Sequence, residues 1–215
     1  MYQLNTKAAR KADTIGGAMI TELGKYEGVF TQAEDIVAKS GTRGLAFEFK
    51  SNAGQKARLS IYTTKADGTE LPGLDLVMAL MTCLSLRGLK PVQGTVTKWD
   101  YDARAEFEVI AQVFPELVGK PIGLLLETED WIKKDGSLSA TPRPLIKSVY
   151  QAGTELTASE ILDRKTTPAL LQKLVAALRH RPVKNAPKPV QRHSYDAHTP
   201  AAYSSAEAEA EDFPF

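Results

Sequence analysis

In the run QKARLSIYT, Lys56, Arg58, Ser60 and Tyr62 alternate with Ala57, Leu59 and Ile61. An extended chain therefore carries two cations and a phenol on one side and apolar residues on the other. Cations interleaved with flat rings suit a single-stranded polyanion: ammonium and guanidinium groups follow phosphates while rings take bases, at about 1–3 kcal/mol per stacked base. Trp131 stands beside Lys133 and Lys134 at the end of an apolar run, and Lys39 and Arg43 lie in the loop KSGTRG. Lys39, Arg43, Lys56, Arg58, Tyr62, Trp131, Lys133 and Lys134 form the candidate nucleic-acid-binding set. Taken singly, Tyr26, Trp99 and Trp131 have as good a claim to the core, so the patch is argued from the group.

Other residue types point elsewhere. Asp35, Glu48 and Lys50 approximate the acid and E-x-K arrangement of a metal-dependent nuclease, in which carboxylates hold a divalent cation and the lysine helps orient water. An outward Glu and Lys is also the ordinary surface of an amphipathic strand. His193, Asp196 and His198 fall in a proline-rich stretch where a metal site is not expected. The sequence contains no Walker A loop, no CxxC pair and no Ser/His/Asp set, so neither a cofactor nor an enzyme is expected. Cys83 is the one cysteine; it excludes an internal disulfide, suits a reducing cytoplasm and reads as a core residue.

The elements that must position these groups are mostly strands divided by glycine turns. ELGKYEGVFTQAEDIVA reads as a long first strand; GLAFEFKS puts Leu45, Phe47 and Phe49 inward and Ala46, Glu48 and Lys50 outward. Residues 74–86 have helical spacing, with Gly88 as the stop. Residues 95–101 alternate as an extended segment, and 107–113 fit helix or strand equally. A hairpin follows, from Ile122 to Lys133, turning at Asp135-Gly136 and returning through Pro142 and Pro144, which imply an edge strand or bulge. Thr157 and Glu160 form a capping box; Thr167 with Pro168 opens a second helix striped by Leu170, Leu171, Leu174, Val175 and Leu178. That stripe must pack on the sheet or on another subunit. The expected fold class is mainly β with helices (α+β), an OB-fold-like antiparallel barrel followed by helices and a disordered tail.

The chain has 215 residues, 43% hydrophobic, enough for one domain and a tail, and its formal net charge of +1 hides a segregation. Residues 181–205 carry Arg181, Lys184, Lys188 and Arg192, whereas 206–215 read AEAEAEDFPF, acidic and ending on Phe-Pro-Phe. Such a segment cannot bury its own apolar groups and is expected to stay disordered until a partner pocket takes Phe215 and basic residues take the acids. The division is a flexible arm over 1–21, a domain over 22–180, and a linker with acidic tip over 181–215. The linker would carry the tip about 25–30 Å from the domain. No apolar run is long enough to span a bilayer, so a soluble cytoplasmic protein without membrane partners is expected.

The tip Asp212-Phe213-Pro214-Phe215 resembles the acidic C-terminal tip of bacterial single-stranded DNA-binding proteins, with Phe where that family usually has Ile. Over residues 22–150, the GKYEGVF strand, the SGTRGLAFEFK hairpin and the ELVGKPIGLLLE segment resemble phage-encoded single-stranded DNA-binding proteins of replication and recombination modules. The resemblance implies an OB-fold core that coats DNA in the host cytoplasm. It also implies a tail, Glu211, Asp212, Phe213, Pro214 and Phe215, that recruits replication or recombination proteins. A helical C-terminal segment longer than in the bacterial proteins leaves a homodimer open. The nuclease and an adaptor that binds only proteins are the alternative readings.

Overall fold

The alternation in GLAFEFKS and QKARLSIYT becomes a hairpin in the computed structural model, which describes residues 18–100, 105–133 and 135–183, with backbone alone at 99 and 100. Strands β2 (Arg43–Ser51) and β3 (Lys56–Thr64) pair antiparallel, Phe47 opposite Leu59 and Glu48 opposite Arg58. Leu45, Phe47, Phe49, Ala57, Leu59 and Ile61 are buried, and the side chains between them are half-buried or exposed, as the alternation requires.

Strand β1 (Gly24–Val37) is long because it serves several partners. From Gly28 onward it pairs with β2, while Gly24 to Val29 also pair with β6 (Pro121–Glu129). A bulge between Phe30 and Gln32 bends it. Gly28 sits where β1 crosses closest to β2: a Cβ there would lie 2.1 Å from the carbonyl oxygen of Lys50. Further on, Glu34 bridges Val113 of β5 (Ala105–Val113), which pairs along its length with β4 (Val92–Asp100). Residues 107–113 are thus strand rather than helix. Strand β7 (Arg143–Tyr150) pairs with β6 alone, an edge position that tolerates Pro144 opposite Thr128, and a bulge interrupts the ladder at Leu125/Leu126. The main path runs β3-β2-β1-β6-β7, and the β4–β5 hairpin branches from β1. Strands β3 and β7 touch without a hydrogen-bonded ladder, so this predominantly antiparallel sheet is not closed into a barrel.

The core inside the curved sheet centres on Phe30, stacked on Phe47 at 4.6 Å and edge-on to Phe49 at 5.9 Å. Burial of each such ring is worth about 1.5–3 kcal/mol. Helix α1 (Pro72–Cys83) packs on β3 and β7 and buries Val77, Leu80 and Cys83. It ends earlier than its spacing suggested, and Gly88 is not its stop. Ser85 takes the left-handed position (φ 55°), with Leu86 N donating to Met81 O (2.8 Å) and Ser85 N to Thr82 O (3.0 Å). That bond pair closes the helix without a glycine.

The C-terminal elements reach both faces of β6–β7: Ala158 and Ile161 join the main core, while Leu171 packs on the outer side. Helix α2 (Ala158–Leu162) opens on the expected capping box of Thr157 and Glu160. The second helix differs: α3 is Leu171–Ala176, and neither Thr167 nor Pro168 starts it. Fully buried Glu160 accounts for this by accepting the N–H groups of Ala169 (2.6 Å) and Leu170 (3.0 Å) as well as that of Thr157 (2.9 Å). These bonds, Thr157's backbone first, hold its carboxyl down to about 2. Leu171 then packs on Leu125 and Tyr150, so the apolar stripe meets the sheet. Ordered structure also extends past both expected boundaries. Lys56 N donates to Ala18 O and Ile20 N to Lys56 O, and His180–Arg181 form β8, parallel to the end of β6. No helix among the described residues is long and apolar enough to cross a membrane.

Candidate nucleic-acid interface

The β4–β5 hairpin folds across the outer face of the sheet. Val96 is fully buried, Thr97 N donates to Gln32 Oε1 (3.1 Å), and Lys98 Nζ meets Glu34 Oε1 at 2.7 Å. Past these contacts it stands off β2–β3 and leaves two clefts, of about 230 and 320 Å³, that share Glu48 and Arg58. The first is completed by Gln32, Glu34, Thr97 and Lys98, the second by Thr31, Lys50, Lys56 and Glu106. One wall thus offers Lys50, Lys56 and Arg58, and the other offers Lys98. Arg58 Nε donates to Glu48 Oε1 at 3.2 Å, with both side chains over a third exposed. Such a pair is worth about 0–1 kcal/mol, so a phosphate can displace the carboxylate.

Tyr62 continues this face opposite Gly44 and is 42% exposed. Lys39 is exposed in the loop 38–42, closed by Ala38 N to Thr42 O (2.8 Å), and Arg43 is exposed at the start of β2. Trp131 and Lys133 are not brought to these residues. The end of β6 runs beside Gly24, at the opposite end of β1 from Val37 and the loop that follows it. Lys134 lies outside the described residues, as do 206–215 and the His193, Asp196, His198 group.

Around Trp131 is a separate cleft of about 940 Å³, lined also by Arg143, Arg179, His180 and Arg181. Trp131 is half-buried with Nε1 donating to Thr141 O (3.0 Å). The turn beyond it forms at Asp135-Gly136 as its dipeptide implied: Gly136 has φ 80° and Asp135 accepts Ser137 Oγ (2.7 Å) and N (2.9 Å). Those bonds keep the Asp135 carboxyl below its usual range. Most cations here are engaged. Arg143 donates twice to Glu129 Oε2 (2.9 and 2.7 Å), Arg181 Nε donates to fully buried Glu127 (2.7 Å), and His180 lies between Thr128 Oγ1 (2.9 Å) and Asp130 Oδ1 (3.2 Å).

The nuclease set does not assemble. Asp35 pairs with Leu45, on the core-side face, whereas Glu48 pairs with Gln32 on the outer face and bonds Arg58. No group of three or more His, Cys, Asp or Glu among the described residues is placed to hold a metal ion. Cys83 is buried and desolvation pushes its thiol up to about 12, as befits a core residue. Lys98 and Arg179 were missed in the sequence. Lys98 carried a signal, since it follows Val96 by two residues and buried Val96 fixes the face they share; Arg181 reads as the start of a linker, and Arg179 falls at the end of the domain with nothing local to single it out. No protein-family model and no curated protein sequence matches the chain.

Proposed function

We propose that this protein binds single-stranded DNA, with little sequence preference, in the groove between the outer face of β2–β3 and the β4–β5 hairpin. It acts in replication or recombination in the cytoplasm and engages partner proteins through its acidic tip. The observation that carries the reading is Lys50, Lys56 and Arg58 exposed on one sheet face beneath a hairpin that brings Lys98 to the opposite wall. The strand path β3-β2-β1-β6-β7, with α1 between β3 and the β6–β7 hairpin, suits an OB-fold, a partly open barrel that binds oligonucleotides on strands 2–3 and adjoining loops. On that reading the loop carrying Lys39 lies at the Arg43 end of β2, and Trp131 lies outside the groove.

The test is binding of a fluorescent oligo(dT) across a salt series. With about four or five phosphate contacts the log–log slope should be near 3 in magnitude, since single strands contribute about 0.7 per contact. Replacing Lys56 and Arg58 together by Ala should lower it by about 1.4. An unchanged slope places the groove elsewhere, and absence of oligo(dT) binding by the wild-type chain leaves the protein-only adaptor.

A further inference from the structure

We infer that the β4–β5 hairpin is the closing arm of this groove and that Phe107, on its inward-turned face, stacks on a base of the bound strand; this rests on the single-strand reading above. In the β4–β5 ladder Val96 pairs with Val109 and Lys98 with Phe107, so these four side chains share one face of the hairpin. Val96 is fully buried and Lys98 bonds Glu34 of β1, which identifies that face as the one turned to the sheet. Toward the tip, Glu106, which alternates with Phe107 along β5, lines the cleft with Met19, Lys56 and Arg58, so the arm reaches across to β3. Phe107 is nevertheless 44% exposed. The groups that line the cleft at this end are mostly charged, Glu48, Lys50, Lys56 and Arg58, with Met19 the exposed apolar side chain among them. A base stacked on the ring would cover it, while Lys98 beside it in the ladder would meet the adjoining phosphate in place of Glu34. Ring and cation then recur on this wall as Tyr62 and Arg58 do on the other.

The attachment suits an arm. Its root is held to β1 by one bridge pair, Glu34 to Val113, and the adjoining bond from Phe114 N to Ala33 O (3.0 Å), and its middle by the Thr97–Gln32 bond, the Lys98–Glu34 ion pair and Val96. Exchange of Glu34 for a phosphate at Lys98 therefore loosens one of the few latches holding the arm to the sheet.

Phe107→Ala should weaken oligo(dT) binding about 5- to 150-fold, the range measured for loss of one stacked base, with the melting temperature nearly unchanged. Phe107→Trp should keep the affinity and add fluorescence quenched on oligo(dT) addition, beyond the wild-type signal. Ile110→Ala, 69% exposed on the hairpin's other face opposite Thr95, should change neither. Wild-type affinity in Phe107→Ala alongside impaired Lys56→Ala/Arg58→Ala overturns the arm and leaves the groove standing. Failure of the wild-type chain to bind oligo(dT) overturns both. A wild-type dimer that Phe107→Ala dissociates, with DNA affinity unchanged, makes Phe107 a contact between copies and also overturns the inference.

Discussion

Two outer faces of one sheet are covered in opposite ways. Over β6–β7 the C-terminal segment lies flat: Leu171 closes on Leu125 and Tyr150, and Arg181 meets Glu127, which no solvent reaches. Over β2–β3 the β4–β5 hairpin stands off, leaving open clefts whose walls carry Lys50, Lys56, Arg58 and Lys98 interspersed with Glu34, Glu48 and Glu106. The first cover removes apolar surface and backbone donors from water and so contributes to stability. The second leaves most of its charges solvated and the Arg58–Glu48 pair weak, and so contributes little to stability and much to what can be bound. One strand pattern, alternating on β3 and almost continuously apolar on β6, predisposes each face to its cover.

This contrast can be broken or sharpened by substitution. The largest effect is expected under the flat cover: a Cβ on Gly123 would fall 2.1 Å from Cε2 and Cζ of Tyr150, whose ring is fully buried. Gly123→Ala should cost about 3 kcal/mol, read as a lowered denaturation midpoint. A near-neutral result would mean that this face is loosely packed. Next comes an acid-dependent loss at Glu160. Its carboxyl is held at about 2 against an ordinary 4.5, so the stabilisation is present above pH 4.5 and is lost as the pH falls toward 2. Thermal melts between pH 6 and 2 should show that loss in the wild-type chain. Glu160→Gln should be less stable at pH 6, with that part of the pH dependence gone. The smallest effect belongs to the open face. Glu48→Gln should leave stability within about 0.5 kcal/mol, because the Arg58 pair is solvated. It should raise oligo(dT) affinity about fivefold at low salt, an advantage that fades as salt screens it. Destabilisation by Glu48→Gln would show that the groove's ion pairs hold the fold.

Local pattern was legible wherever one physical cause acted along a few residues. Period two in 45–50 and 56–62 revealed both faces of β2–β3, Asp135-Gly136 its turn, and Thr157 with Glu160 its capping box. The sequence by itself therefore determined which side chains of β3 are core and which carry charge, because alternation needs only a strand with one wet face. It also determined that the chain ends in acids and aromatics, although where they go lies beyond the described residues. Tertiary structure alone decided the rest. That Lys98 faces Lys56 and Arg58 across a groove depends on a hairpin bending back over β1, and no periodicity encodes the direction of that bend. That α3 begins at Leu171 depends on Glu160 capping N–H groups ten residues away, and that Arg181 belongs to the sheet depends on a buried acid at position 127. The physical reason is the same in each case: periodicity reports which face of an element is dry, whereas a partner distant along the chain is chosen by desolvation and hydrogen-bond satisfaction, which exist only once the fold has closed.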